Sequence, residues 1–218
     1  VQGTGSAGVN ATVNSGKFDG TVSAETNNTV AVKGGTFTSA VPENCCATGY
    51  IPQDNGDGSY GVKVDDSVAE VNGTKYESLA AAFTAAENGQ TVKLLSDVTI
   101  TGKQLVIEAG KQFTLDLNGK TLKISGYTAK AAQVDVFGDL TLADSSKAQN
   151  GTICSDYTGT AGLVVCVEAD GKLTMNGGTI TTEGMAKDGN ALKLAKNAVV
   201  TMNGGTVKCD AKRGNCAV

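Results

Sequence analysis

The sequence contains no histidine and no tryptophan, and only 2 of its 218 residues are proline. The lack of histidine excludes zinc sites of mixed cysteine–histidine type and nucleophiles paired with histidine. Phenylalanine and tyrosine number 5 each, so the hydrophobic 40% of the chain is mainly aliphatic. No apolar run approaches the roughly 20 residues that a membrane-spanning helix requires, and membrane insertion is therefore not expected.

Charge and cysteine content narrow the class of protein further. The formal net charge is −4 and the basic residues are scattered, so nucleic acid is not an expected partner. The chain lacks the charged and apolar segments of a signal peptide, and we expect it to be a mature piece of a longer protein. Six cysteines without a CxxC pair favour disulfides in an extracellular, oxidising compartment.

Glycine is abundant, with 29 residues, and an octamer recurs along the chain. LTMNGGTI spans 173–180 and VTMNGGTV spans 200–207, so that Asn176 and Asn203 occupy the same place in the two copies. The resulting period, in the twenties, is typical of a solenoid. Weaker copies of the octamer lie at 11–18, 30–37, 113–122 and 140–153, the last with an insertion.

Each octamer encodes a strand, a corner and the start of another strand. Leu173 and Met175 alternate with polar residues, as in a strand with one buried face. Asn-Gly-Gly then makes the corner, because asparagine and glycine tolerate positive φ. Stacked coils of this kind bury one continuous aliphatic column. The sequence therefore predicts a mostly β fold, a right-handed parallel β-helix.

The segment YESLAAAFTAAENG at 76–89 interrupts this pattern and predicts a helix. Ser78 is the expected N-cap, Leu79 and Phe83 fall on one face, and Asn88-Gly89 is a stop signal. We expect this helix to cap the first turn of a β-helix, because an open end exposes core and unpaired strand edges. The predicted divisions are terminal turns of a β-helix at 1–38, a junction hairpin or loop at 39–75, the capping helix at 76–89 and β-helix turns at 90–218.

The segments at 34–62 and 69–100 carry a resemblance to a known family. They read GGTFTSAVPENCCATGYIPQDNGDGSYGV and AEVNGTKYESLAAAFTAAENGQTVKLLSDVTI. They resemble the module junction of pectate-lyase-like β-helix repeats in large surface proteins of Gram-positive, often gut-dwelling, bacteria. LDLNGKTL at 115–122 and the NGGT turns are also similar, so the resemblance covers nearly the whole chain. It implies a bacterial cell-surface repeat protein and says little about its activity.

The order of the parts suggests an array. Residues 90–218 would begin a β-helix and residues 1–38 would end one, and placing residue 1 after residue 218 puts Asn14 close to one period beyond Asn203. We expect one unit of a longer assembly, made either of covalent tandem repeats or of identical chains associating head-to-tail into a filament. A fragment with arbitrary ends is the alternative. The expected assembly ends are Val1, Gln2, Ala217 and Val218.

The cysteines are the other candidate functional residues. Two pairs flank short loops and are disulfide candidates, with free buried thiols as the rival interpretation: Cys154 with Cys166, and Cys209 with Cys216. Cys45 and Cys46 depart from the resembling family, which more often has an aromatic residue there. They could form a strained ring, pair with distant cysteines or crosslink neighbouring units.

The acidic residues do not predict a catalytic or metal site. Asp54, Asn55 and Asp57 fit a hairpin turn better than a calcium loop, because glycines occupy two of the ligand positions. Asp135 and Asp139 share a strand but lie roughly 13 Å apart, too far to act as a pair. Glu168 and Asp170 are expected at solvated edges. No catalytic residue, metal or cofactor is expected.

These observations predict a non-enzymatic, extracellular structural repeat of a surface stalk, adhesin or filament, with identical neighbouring units as partners. One alternative is a glycan-binding adhesin module, in which Tyr127 and Tyr157 contact host or cell-wall glycans. Another is a non-catalytic relative of a polysaccharide lyase.

Overall fold

The computed structural model describes residues 8–128, 132–159, 162–185 and 189–209. The chain divides into two compact units, Val1–Asp66 and Ser67–Val218. Within the described residues, no helix has the length and apolar character needed to cross a membrane.

The first unit stacks two short coils and closes with a hairpin. Its strands are β1 (Asn10–Val13), β2 (Lys17–Phe18), β3 (Thr29–Val32), β4 (Thr36–Phe37), β5 (Tyr50–Asp54) and β6 (Tyr60–Val64). β1 pairs in parallel with β3, and β2 pairs in parallel with β4. β5 and β6 form an antiparallel hairpin that extends the β2–β4 sheet. A 3₁₀ helix, Glu43–Cys45, precedes the hairpin.

The core of the first unit is small and partly aromatic. Val13 and Val32 face each other in the β1–β3 ladder and both are buried. The rings of Phe18 and Phe37 stack with centroids 4.9 Å apart. Cys45 is fully buried in the same cluster.

The described part of the second unit contains one helix and a parallel β-solenoid of about four turns. Its elements are β7 (Ala69–Val71), β8 (Thr74–Tyr76), α1 (Leu79–Ala85), β9 (Thr91–Leu94), β10 (Val98–Thr101), β11 (Leu105–Ile107), β12 (Gln112–Asp116), β13 (Thr121–Ser125), β14 (Ala132–Val136), β15 (Asp139–Ala143), β16 (Thr152–Ser155), β17 (Gly162–Val167), β18 (Lys172–Met175), β19 (Thr179–Thr181), β20 (Gly189–Leu194), β21 (Val199–Met202) and β22 (Thr206–Lys208).

Three sheets run along the solenoid, and each complete coil contributes one strand to each sheet. The strand orders are β21-β18-β15-β12-β9-β7-β8, β10-β13-β16-β19-β22 and β11-β14-β17-β20. All pairings are parallel except those of β7, which pairs antiparallel with β8 and β9. The β7–β8 hairpin thus continues the first sheet beyond the first coil.

Aliphatic columns fill the solenoid, as the octamers predict. Leu115, Leu142 and Met175 face one another in successive ladders, and each is fully buried. Leu122, Ile153 and Ile180 form a second such column on the next sheet. The parallel β-helix predicted from the sequence is confirmed.

Coil length varies where the corner carries an insertion. Asn176 and Asn203, in successive corners, are hydrogen-bonded across a separation of 27 residues, whereas Asp139 and Lys172 are joined across a separation of 33 residues. Asp144 organises the insertion: its carboxylate accepts hydrogen bonds from backbone N–H groups of both coils, at Gly119, Ser146 and Gly151. Asp144 therefore anchors the enlarged corner to its neighbour.

The capping helix is shorter than the sequence predicts, at Leu79–Ala85 rather than 76–89. Its N-cap is Ser78, as expected, whose Oγ accepts from the N–H of Ala81 at 3.2 Å. The helix ends early because Ala86 is extended and Asn88 bonds to the following coil, at Gly110 and Gln112. Residues 67–75, expected in the junction, lie within the second compact unit and contain most of the β7–β8 hairpin.

Candidate functional site

The last described coil of the second unit, β21–β22, leaves its inward side chains partly uncovered. Met202 continues the column of Leu142 and Met175 but is 47% exposed, whereas Met175 is 0% exposed. Val200 and Val207 continue the neighbouring columns and are half-buried. Among the described residues, β21 and β22 each pair with one strand only. This coil therefore offers apolar side chains and two strand edges.

The corner of this coil shares two features with a corner of the first unit, a glycine at positive φ and a backbone hydrogen bond to a neighbouring coil. Gly205 and Gly16 end their corners with φ of 82° and 124°, both in the region that favours glycine. Each corner is also tied to its neighbour by one backbone bond: Thr206 donates to Gly178, and Thr36 donates to Gly16, both at 2.9 Å. Coil stacking at these corners therefore follows one pattern in both units.

At the other end of the solenoid, helix α1 lies on the first coil as predicted. Leu79 is buried, and Phe83 packs on Phe113 with ring centroids 4.9 Å apart. The helix leaves an open cleft of about 650 Å³ between itself and strands β10 and β11, lined mainly by apolar side chains such as Ile100 and Leu105.

A cluster that the sequence did not predict lies on the outer face of the β11-β14-β17-β20 sheet. Asp135 faces Cys166 in the β14–β17 ladder, and Glu168 follows the end of β17. One ligand-type atom from each residue lies within 4.8 Å of the other two. Asp135 and Cys166 are buried, at 8% and 4% exposed, and Glu168 is half-buried. Glu168, expected at a solvated edge, is half-buried at the end of β17, while Asp170 is exposed as expected.

Burial and like charge shift the protonation equilibria of this cluster. Burial raises the pKa of Asp135 to about 6, and the nearby Glu168 carboxylate adds to the rise. Burial also raises the pKa of the Cys166 thiol to about 12, with further contributions from Glu168 and Asp135. The Cys166 thiol is therefore not arranged as a reactive nucleophile at neutral pH, because a protonated thiol attacks poorly.

Cys154 and Cys166 depart from the disulfide prediction, whereas Cys209 is disulfide-bonded. Cys154 and Cys166 are free thiols that lie on strands of two different sheets, so the bridge expected between them is not formed. Cys154 is half-buried on β16, and its outward position in the strand separates it from the face that carries Cys166. Cys45 and Cys46 are also free, which disagrees with the strained ring considered from the sequence.

Several predicted residues fall outside the described part of the chain. These are Cys216, the expected partner of Cys209, and the assembly ends Val1, Gln2, Ala217 and Val218. The hairpin predicted at Asp54–Asp57 is confirmed: β5 and β6 flank it, and Asp57 accepts from the N–H of Ser59. Tyr157 is 7% exposed, so its ring is not available to stack on a sugar.

The chain matches no known protein family, no curated protein and no solved structure. The β-solenoid architecture itself is consistent with a β-helix repeat protein.

The sequence contained only a weak signal for the Asp135–Cys166–Glu168 cluster. Alternation around Cys166 placed Val165 and Val167 inward, and the buried positions of both valines confirm this. Cys166 was therefore identifiable as an outward residue. Its alignment with Asp135 depends on the length of chain between β14 and β17, which differs from the octamer period.

Proposed function

We propose that this chain is a non-enzymatic structural repeat unit, in which the β21–β22 coil of one copy stacks on the β1–β2 coil of the next. The absence of histidine from the chain supports a non-enzymatic function to the extent that it excludes histidine-based nucleophiles. The module resemblance supports a bacterial surface stalk or filament as its setting, outside the cell.

The proposal rests on one observation: the column of inward side chains that contains Leu142 and Met175 is buried, except at its last described member, Met202, which is partly exposed. In the preceding coils of this column the inward side chains are 0% exposed, and Met202 is 47% exposed. Burying apolar surface is favourable by about 25 cal/mol per Å². A further coil added to β21 and β22 would extend the column and pair both strand edges.

The β1–β2 coil of a second copy is a suitable occupant because its octamer aligns with that of β21–β22. Residues 11–18, ATVNSGKF, align with residues 200–207, VTMNGGTV. In this alignment Val13 follows Met202 and Phe18 follows Val207. Val13 and Phe18 are separated by as many residues as Met202 and Val207. Both strands of the β1–β2 coil can therefore be in register with β21 and β22 at the same time.

One corner position opposes this stacking. Gly34 and Gly204 occupy the middle of corners that lie against a preceding coil, and a Cβ there would lie 2.4 Å and 2.7 Å from the carbonyl oxygens of Asn14 and Asn176. Ser15 occupies the equivalent position of the β1–β2 coil. In the proposed stack its Cβ would approach the carbonyl of Asn203, so the corner must shift to accommodate it.

Sedimentation velocity over a range of concentrations, with electron microscopy of the same samples, tests the proposal. We expect concentration-dependent linear oligomers of the wild-type chain. Met202→Asp should abolish them by placing a charge in the interface, and Ser15→Gly should strengthen them by removing the corner clash. The matched control is Val64→Asp, at a hairpin position that is 54% exposed.

A wild-type chain that stays monomeric at every concentration, or oligomers that survive Met202→Asp, would overturn the head-to-tail stack. Thermal unfolding of Met202→Asp separates loss of assembly from loss of folding. If that variant unfolds early, the response to Ser15→Gly still decides, because removing a solvent-facing Cβ leaves the monomer folded.

A further inference from the structure

The Asp135 carboxylate is buried with one oxygen unsatisfied. Its Oδ1 has no hydrogen-bond partner among the described residues. Its Oδ2 accepts a hydrogen bond from Gln104 Nε2 at 3.0 Å. Gln104 is itself oriented by Tyr127, whose hydroxyl donates to Gln104 Oε1 at 2.7 Å. The side chain of Asp135 is thus held from one side, and Oδ1 is left for another partner.

The neighbouring side chains do not supply that partner while both carboxylates are ionised. Ionised carboxylates only accept hydrogen bonds, so Glu168 and Asp135 cannot satisfy each other. The Cys166 thiol is a weak donor. Lys193 faces Cys166 in the β17–β20 ladder, but its side chain is exposed. Two adjacent carboxylates with a buried orphan oxygen can be satisfied by a shared proton, a bound water or a cation between them.

We propose that Asp135, Cys166 and Glu168 bind a divalent metal ion, with Zn²⁺ as the best chemical match. Calcium and magnesium take ligand sets made of oxygen, whereas zinc accepts cysteine sulfur together with carboxylate oxygen. Three protein ligands leave one tetrahedral position for water. Zinc bond lengths imply donor atoms roughly 3.5 Å apart. The three donors lie within 4.8 Å of one another, so no pair would have to close by more than about 1.3 Å.

Two features of the surroundings fit a metal site. Metal-binding carboxylates are usually held by a hydrogen bond from a neighbouring residue, and Gln104 supplies that bond to Asp135. The ligands also come from two successive coils, β14 and β17. A bound ion would tie these coils together, and its binding would release the thiol proton to solvent. The inference is independent of the proposed head-to-tail assembly.

Metal titration of the reduced, metal-free chain tests this site. Co²⁺ should bind with one-to-one stoichiometry and give a thiolate-to-cobalt charge-transfer band, and excess Zn²⁺ should remove the band. Zn²⁺ should also raise the melting temperature. Cys166→Ser should abolish the band, and Asp135→Asn should weaken binding. Gln104→Ala should lower the affinity by about 10–100-fold, as is usual for a residue that supports a ligand.

Cys154→Ser is the matched control, because it removes a free thiol of the same solenoid and should leave the band intact. A band that persists in Cys166→Ser would assign the metal to other thiols and overturn the proposal. So would the absence of stoichiometric binding, which would mean that a shared proton or a bound water joins Asp135 and Glu168. Asp135→Asn keeps the shape of the side chain, so a folded Asp135→Asn variant that binds as tightly as the wild type would also overturn it.

Discussion

The two units of the chain build coils of different length around the same corner. In the first unit Asn10 and Thr29, on paired strands of successive coils, are separated by 19 residues. In the second unit the corresponding separation is 27 residues at Asn176 and Asn203, and 33 residues where there is an insertion, at Asp139 and Lys172. Gly16 and Gly205 nevertheless have positive φ at equivalent corner positions. The corner therefore determines how coils stack, whereas the rest of the coil determines how wide they are.

The length of the coils affects which side chains fill the core of each unit. The narrow first unit fills its interior with a phenylalanine stack, Phe18 on Phe37, and a few valines. The wider second unit holds several aliphatic columns with residues that are 0% exposed. Because a larger unit buries a greater fraction of its surface, we expect the second unit to be the more stable of the two.

Truncation inside a column is expected to have the largest effect. Leu142→Ala removes a fully buried side chain and should destabilise the second unit by about 2–5 kcal/mol, because the cavity cannot collapse between two paired coils. Hydrogen exchange, read on peptides from each unit, measures the effect. Thr141→Ala changes the outward residue beside it and is the control. Equal loss of protection in both units would show that they unfold as one body.

The enlarged corner should be sensitive to charge and pH. Asp144→Asn weakens three backbone hydrogen bonds to a carboxylate, and we expect a loss of about 2–4 kcal/mol at neutral pH. Burial opposes ionisation, but bonds from Ser146, Gly151 and Gly119 outweigh it and lower the pKa of Asp144. Because the pKa of Asp144 is lower in the folded state, its ionisation stabilises the fold at pH values above the unfolded pKa of about 3.9. This stabilisation is lost as the pH falls through the folded-state pKa.

Urea unfolding of wild type and Asp144→Asn from pH 7 to pH 2 checks the direction of this pH dependence. The difference in the free energy of unfolding between the two proteins should be largest at neutral pH and should shrink below about pH 4. Asp66→Asn, at an exposed position, should differ little from wild type throughout. A difference that grows toward acid would contradict the proposed role of Asp144.

The smallest expected effect on stability comes from a substitution in the corner that contains Gly34. Gly34→Ala places a Cβ 2.4 Å from the Asn14 carbonyl oxygen and should cost about 1–3 kcal/mol through forced separation of the coils. Ser15→Ala changes the equivalent position of the first described coil and should stay within about 0.5 kcal/mol. Thermal unfolding of both variants measures the contrast. Equal effects would mean that stacking does not require glycine at this corner.

Local patterns predicted the parts of the fold that depend on local chemistry. The Asn-Gly corners, the alternation of Leu173 and Met175, the Ser78 cap and the Asp54–Asp57 hairpin each follow from a few neighbouring residues. The length of α1 did not, because Asn88 bonds to the following coil at Gly110. The Cys154–Cys166 pairing failed for a related reason: closeness along the chain did not put the two thiols on one face.

The amino-acid sequence by itself determined that this chain folds into stacked parallel coils, because inward and outward residues alternate and glycine is placed where φ must be positive. Only the tertiary structure decided which residues of different coils meet. The register between coils depends on the length of each intervening segment, and it brings Asp135 beside Cys166 and leaves Met202 at a partly open face.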